Sequence, residues 1–239
     1  MTQPIRALLL AAGFGTRLRP LTLTTPKCLV PIGGRPLLER WLQSLEACGC
    51  SDALVNTHYL ADQVQAFLEK RPKSTMNIQS SYEPELLGTA GTLLANQSFF
   101  EGSTGLLIHA DNATNFDLKE LINAHHQRPK ECLLTMLTFD TKNPQSCGIV
   151  EIDEQGVVEA FHEKVEHPPG NRANGAVYAF DWQSIQELNS LNPSAHDLST
   201  EVLPRLVGKI ATFHTRSHFL DIGTPANLSK AQKLWPGNS

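Results

Sequence analysis

Between residues 5 and 110, short apolar runs alternate with segments of helical period, and this alternation constrains the fold more than any other feature of the chain. Residues 5–11, 53–57, 76–82 and 105–110 read as strands, separated by helix-period stretches at 36–48, 61–69 and 89–96. Strand, helix and strand in succession build βαβ units, which lay the strands parallel. Pro36 suits the first turn of its helix, where a missing N–H costs nothing. After about residue 130 the rhythm changes. Residues 132–139, 148–152, 157–162 and 174–180 read as strands, with Asp153-Glu154-Gln155-Gly156 as a hairpin turn between 148–152 and 157–162, so antiparallel pairing enters. Helices at 182–191, 197–207 and 225–234, the last with Thr224 as N-cap, and a strand at 210–215 complete the reading. The expected fold is α/β: a Rossmann-like three-layer α/β/α arrangement around a mixed, mostly parallel central sheet. No linker-like stretch interrupts it, so residues 1–239 are expected to form a single domain, with a nucleotide in the first half (1–115) and the other substrate in the second (116–239). Pro168-Pro169-Gly170-Asn171 is the most loop-like segment and is expected to act as a mobile flap.

Composition narrows the function classes. A chain of 239 residues with 41% apolar content can bury one substantial core. The net charge is −4, and the 20 Lys and Arg residues are scattered except near residues 17–27, which argues against a nucleic-acid partner. No apolar stretch approaches membrane-spanning length, and Met1-Thr2-Gln3-Pro4 lacks the order of a signal peptide, so a cytoplasmic protein without a membrane partner is expected. The five cysteines, at 28, 48, 50, 132 and 147, fit neither a disulfide scaffold nor a zinc site and read as reduced packing residues. The His125-His126 pair falls on a helix that turns the two rings in different directions, which suits solvent better than a metal.

Three signals fall at the carboxyl ends of predicted strands, where open α/β sheets bind ligands. The first follows strand one: Leu10-Ala11-Ala12-Gly13-Phe14-Gly15-Thr16-Arg17-Leu18-Arg19-Pro20, with Pro26-Lys27 beyond. Bare backbone N–H groups together with fixed positive charge at Arg17 and Lys27 are what a triphosphate requires. The spacing is neither that of a Walker loop nor the Gly-x-Gly-x-x-Gly of a dinucleotide fold, since position 18 is leucine, and a Rossmann dehydrogenase is correspondingly disfavoured. The second is Glu83-Pro84-Glu85-Leu86-Leu87-Gly88-Thr89-Ala90-Gly91. Here glycines allow close approach to a flat base, and a carboxylate can accept from N1–H and N2–H₂ of guanine; the plain alternative is a helix-entry turn beside a surface glutamate. The third is the apolar strand that ends in His109-Ala110-Asp111, where the acid is either a turn former or a Mg²⁺ ligand facing the phosphate loop.

The opening run, Leu-Ala-Ala-Gly-x-Gly-Thr-Arg-Leu-x-Pro-Leu-Thr with a following Pro-Lys, resembles the signature of the sugar-1-phosphate nucleotidyltransferases. The Leu87-to-Gly91 segment is similar to the versions in mannose-1-phosphate and D-glycero-D-manno-heptose-1-phosphate guanylyltransferases. The resemblance runs from Leu10 to about Ala231 through four motifs in family order, and it implies the nucleotidyltransferase, glycosyltransferase-A-like fold. It further implies that Leu10, Ala11, Ala12, Gly13, Gly15, Thr16, Arg17, Lys27, Glu83, Gly88 and Thr89 bind nucleotide. Asp221, in Asp221-Ile222-Gly223-Thr224-Pro225, becomes the second Mg²⁺ ligand beside Asp111. Glu163, Lys164, Asn174, Gly175 and Gly148 become contacts of the sugar phosphate, although an exposed Glu-Lys pair alone is usually a solvated face. Larger relatives carry a further β-helix, and a second activity is not expected here.

A sugar 1-phosphate brings an oxygen nucleophile that is already ionised, so no activated serine, cysteine or histidine is needed. The expected reaction is transfer of a nucleotidyl group from an NTP, GTP for preference, to mannose or manno-heptose 1-phosphate, with Arg17, Lys27 and Asp111 as the catalytic group and Mg²⁺ as cofactor. Uridylyl or thymidylyl transfer to glucose 1-phosphate is the alternative. A non-catalytic regulatory protein that retains the pocket is a distant third. The expected partners are the NTP and the sugar 1-phosphate, a homo-oligomer is left open, and by resemblance the product would feed polysaccharide biosynthesis.

Overall fold

The computed structural model describes residues 3–236. In chain order its first elements are β1 (Ile5–Leu10), β2 (Pro31–Ile32), β3 (Arg35–Pro36), α1 (Leu37–Ala47), β4 (Cys50–Thr57), α2 (Ala61–Lys70), β5 (Asn77–Tyr82) and α3 (Gly88–Ala95). There follow β6 (Thr104–His109), β7 (Asn112–Thr114), α4 (Leu118–Gln127), β8 (Leu134–Asp140), β9 (Gly148–Ile152), β10 (Val158–Glu163) and β11 (Arg172–Asp181). The chain closes with α5 (Trp182–Leu191), β12 (Ile210–His214), β13 (Phe219–Asp221) and α6 (Pro225–Leu234). Among the described residues no helix is long and apolar enough to cross a membrane.

The elements form two compact units. One comprises Ile5–Leu86, Ile108–Asp117 and the segment from Ser217 on; the other comprises Leu87–Leu107 and Leu118–Arg216 with the residues up to Pro4. In the first unit β1, β4 and β5 pair in parallel, with Leu8 opposite Leu54 and Val55 opposite Ser80. Ala7, Leu8 and Leu9 are fully buried, as expected of a parallel strand covered on both faces. Helix α1 turns Leu37, Leu38, Trp41, Leu42 and Leu45 inward at helical spacing, and each such leucine contributes on the order of 1.5–3 kcal/mol on leaving water. Two antiparallel pairs complete the unit. β2 and β3 make a tight hairpin through Gly33 and Gly34, both at positive φ, and β7 pairs with β13.

In the second unit the pairing is chiefly antiparallel, β9 with β10 and β8 with β11, while β12 lies parallel to β8. The expected mixed sheet, parallel early and antiparallel after residue 130, is thus present. The 153–156 turn forms as anticipated: Asp153 Oδ1 accepts from the N–H groups of Gln155 and Val157.

Three expectations need correction. Residues 197–207 are not a regular helix but a wide turn at Leu198–Val202 followed by a 3-10 turn at Leu203–Leu206. Asp197 Oδ1 accepts from both the N–H and the hydroxyl of Thr200, Glu201 folds back onto the N–H of Asp197, and Pro204 has no N–H to continue the ladder. Pro36 is the N-cap of α1, with extended ψ of 142°, not a residue of its first turn. His125 is fully buried, not solvated. Its Nδ1 lies 3.0 Å from the Thr135 hydroxyl and its Nε2 3.5 Å from Asp181, which also pairs with Arg128. The cysteines are all unpaired with one another, and burial pushes the Cys28 and Cys50 thiols up to about 12, leaving them inert.

Candidate active site

The loop after β1 is held at its root and braced along its length. Leu10 accepts from the N–H of Ala110 at 3.1 Å, and the Ala11 N–H donates to Asn56 Oδ1 at 2.6 Å. Three successive 3-10 turns, Thr16–Leu18, Leu21–Leu23 and Lys27–Leu29, follow. Gly15 sits at φ +61°, and a Cβ there would lie 2.9 Å from the Thr22 methyl, whose hydroxyl in turn donates to the Gly15 carbonyl at 2.7 Å. Nothing lies within 4 Å of where a Cβ on Gly13 would stand, so the backbone at that point is open to a ligand.

Lys27, Asp111 and Asp221 converge. The Lys27 ammonium is 2.6 Å from Asp111 Oδ2 and 3.1 Å from Asp221 Oδ1, on a side chain only 10% exposed. The acids meet because β13 runs antiparallel to β7 with Asp221 opposite Asn112, and the Ile222 N–H donates to the Asp111 carbonyl at 3.2 Å. Helix α1 fixes β7 from behind: Trp41 Nε1 donates to the Asn112 carbonyl at 2.9 Å. Burial disfavours the charge on Lys27, but the two carboxylates more than offset it by charge and hydrogen bonds, and its pKa stands above the ordinary lysine value. Burial likewise works against the Asp111 carboxylate, and Lys27 first, then His109, outweigh it to hold that carboxyl below its usual range.

Arg17 completes the cluster, Nη2 3.6 Å from Asp221 Oδ2 on a largely exposed side chain. A Cβ on residue 223 would fall 2.7 Å from that guanidinium, so glycine is needed for Arg17 to lie there. The Gly223 N–H donates to Asp221 Oδ1 at 2.7 Å, Asn227 Nδ2 to the Asp221 carbonyl at 2.8 Å, and Thr224 caps α6 by accepting from the Asn227 N–H.

Glu83 is not the surface glutamate of the plain alternative. It is 3% exposed, accepts from Asn56 Nδ2 at 3.0 Å through Oε1, and has its backbone tied to Thr57 and His58. Glu85 is exposed.

The second unit holds the other expected residues. Gly88, at φ +77°, is where α3 begins, and a Cβ there would stand 2.3 Å from the His196 carbonyl oxygen. Thr89 Oγ1 accepts from the Leu198 N–H at 2.7 Å and donates to Asp197 at 3.4 Å, so both residues are engaged with the 196–198 segment. Gly148 lies opposite Glu163 across β9 and β10, and a Cβ on it would meet Glu163 Oε2 at 2.6 Å. Glu163 Oε1 in turn is 2.8 Å from the Lys164 ammonium. Lys164 adopts φ +50°, rare for a non-glycine residue, with its side chain 64% exposed. At Asn174 the register of β11 against β8 shifts. Asn174 accepts from the Ala176 N–H and donates to the Tyr178 hydroxyl at 2.7 Å, while Gly175 is pressed against Leu137.

The first unit thus brings together Leu10 to Arg17, Lys27, Glu83, Asp111 and Asp221, and the second Gly88 with Thr89, Gly148 with Glu163 and Lys164, and Asn174 with Gly175. Sequence reasoning missed Asn56 and Asn227, and gave Gly223 only as part of the Asp221 motif. An amide ending the apolar run 53–55 was the one available signal for Asn56.

Two carboxylates on one point suit a hard divalent cation that takes one or two protein oxygens and completes its shell with phosphate and water. Among the described residues no group of three or more His, Cys, Asp or Glu side chains could hold a metal.

Comparison with known proteins finds relatives across almost the whole chain. The mannose-1-phosphate guanylyltransferase catalytic subunit beta of Drosophila pseudoobscura pseudoobscura is 32% identical over 235 residues, an overlap of 96% of this chain and 62% of the relative, so the chain spans about three-fifths of that protein's length. A Bacillus anthracis protein, solved with a sucrose and described as a candidate glucose-1-phosphate thymidylyltransferase, shares the fold at TM-score 0.87 and 21% identity, covering 98% of this chain and 96% of its own. HddC from Yersinia pseudotuberculosis matches at TM-score 0.81 and 26% identity, covering 96% and 99%, and has also been solved with GMP-PN. The nucleotidyl transferase family model matches residues 6–236, which takes in the glycine loop, Lys27, both acids and α6, and on that span the chain belongs to the nucleotidyl transferase family.

Proposed function

We propose that the protein transfers a guanylyl group from GTP to a manno-configured sugar 1-phosphate, mannose or manno-heptose, releasing pyrophosphate. The observation that carries the reaction class is the convergence of Lys27 on Asp111 and Asp221 beside Arg17 and the open backbone at Gly13. The preference for guanine and a manno sugar draws its support from the relatives named mannose-1-phosphate guanylyltransferase.

In this reading, residues 1–115 supply the nucleotide-binding half and 116–239 the sugar-phosphate half. An ionised phosphate oxygen of the sugar 1-phosphate attacks the α-phosphorus in line, forming one P–O bond as the bond to pyrophosphate breaks, with no proton transfer required. Arg17 and the loop N–H groups meet the charge that grows on the α-phosphoryl oxygens and the leaving group. Lys27 steadies the triphosphate. Lys164 holds the incoming phosphate, while Glu163, shaped by Gly148, and the backbone about Asn174 and Gly175 orient the sugar. Asp111 and Asp221 would hold Mg²⁺, which supplies charge neutralisation on the phosphates. A cytoplasmic location fits such an enzyme.

The test is pyrophosphate release by the purified protein with Mg²⁺, each of GTP, UTP, dTTP, CTP and ATP, and a panel of mannose, heptose and glucose 1-phosphates. Release with GTP and a manno-configured acceptor is the expected result. Release with UTP or dTTP alone keeps the reaction and overturns the base, and silence from the folded protein overturns the reading.

A further inference from the structure

Lys27 and Arg17 do not wait in solvent for an anion; both lean on the acids. The ammonium directs hydrogens to Asp111 Oδ2 and Asp221 Oδ1, Arg17 lies on the other oxygen of Asp221, and the Lys27 side chain is almost wholly enclosed. Two positive and two negative charges close on one another, so the cluster is neutral as it stands.

Lys27 already occupies one oxygen of each carboxylate, so a divalent cation held by this pair would lie beside the ammonium, and the two cations repel. Metal entry therefore favours release of Lys27. Once released, its ammonium is a buried charge that needs a new anion, and the anion assigned to this loop is the triphosphate. The converse holds as well: a triphosphate that draws Lys27 away leaves Asp111 and Asp221 facing each other without their shared cation.

Resting on the function proposed above, we propose that Lys27 is the resident counter-ion of the acid pair, and that metal and nucleotide bind cooperatively because each takes over a partner that the other must give up. Either ligand alone strands one half of the cluster, whereas with both the acids face the metal and Lys27 and Arg17 face the phosphates. By linkage, the help that metal gives to nucleotide equals the help that nucleotide gives to metal. Arg17 contributes less, since it is mostly exposed and screened.

The experiment measures binding of Mn²⁺ alone, by electron paramagnetic resonance of the free ion, to the wild-type protein and to Lys27→Met without nucleotide. The variant is expected to bind Mn²⁺ about tenfold tighter, within the usual 5–150-fold range of such couplings, and to gain more thermal stability from Mn²⁺ than the wild type does. A folded Lys27→Met protein that binds Mn²⁺ equally or more weakly overturns the inference. Lys27→Gln, which removes the charge but keeps a donor, serves if Met does not fold. Asp111→Asn with Asp221→Asn in the Lys27→Met background separates the two readings. Loss of Mn²⁺ confirms that the acids hold the ion, so a failure to tighten would then sink the counter-ion inference alone; retention of Mn²⁺ sinks both.

Discussion

Asn56 donates from Nδ2 to Glu83 Oε1 at 3.0 Å and accepts at Oδ1 from the Ala11 N–H at 2.6 Å, a two-residue strut between the Glu83-Pro84-Glu85 segment and the root of the glycine loop. Glu83→Ala should therefore raise KM for the nucleotide through a displaced loop and lower stability by about 1–3 kcal/mol, the cost of deleting one partner of a buried polar pair. Glu83→Gln, which can turn a carbonyl toward Asn56, should lose less of both. Urea unfolding and nucleotide KM check this. A Glu83→Gln protein of unchanged stability but altered GTP-to-UTP preference would assign Glu83 to the base instead.

Arg17 touches little besides Asp221, at 3.6 Å and well exposed. Arg17→Ala is expected to change stability by no more than about 0.5 kcal/mol while lowering kcat on the order of 10²-fold or more, as for a donor that acts on charge developing in the transition state. Thermal melts beside steady-state kinetics separate the two effects. Near-wild-type turnover would remove Arg17 from the mechanism.

A methyl group on residue 148 would stand 2.6 Å from Glu163 Oε2 and 2.7 Å from the Phe161 ring, so both side chains must shift. Gly148→Ala should thus cost some stability through the Phe161 ring and misplace Glu163 and its 2.8 Å contact with Lys164. KM for the sugar phosphate is expected to rise roughly tenfold or more, with KM for the nucleotide unchanged. Equal effects on both substrates would argue against a sugar-phosphate role for this cluster.

Acid sensitivity should trace to His125 and Asp181. Burial holds the His125 pKa below its ordinary 6.5, so the folded state binds fewer protons than the unfolded one. Its contribution is complete above 6.5 and is lost as pH falls below that value. His125 and Arg128 beside Asp181 hold that carboxyl far below its ordinary 3.8, so its contribution is present above 3.8 and is lost on further acidification. Melting temperature should decline from pH 7 to pH 5 in the wild type and decline less in His125→Gln. Parallel declines would place the sensitivity elsewhere.

The glycine loop and Asp111 were legible because each follows a long apolar strand, where a glycine or an acid interrupts a strong pattern. β1, α5 and α6 emerged within a residue or so for the same reason. The β7 strand was not legible, since three residues carry no periodicity; its backbone is held by pairing with β13 and by Trp41 on the Asn112 carbonyl. The 197–207 segment misled because its helical spacing is real, while Asp197, Thr200 and Glu201 bind their own backbone more tightly than a helix would allow. His125 shows the limit of reading a side chain by its polarity, as its partner Asp181 lies well along the chain, beyond any local pattern.

Lys27 stands 84 residues from one of its acids and 194 from the other. In the order of synthesis, β1, the glycine loop and Lys27 precede Asp111, and Asp111 precedes Asp221. A chain interrupted before Ser217 would keep the loop and one acid, yet it would lack the second acid, the partner strand of β7 and the capped helix that follows. Molecules interrupted before Ser217 therefore cannot assemble the charge cluster, which closes only once β13 and the start of α6 have been made.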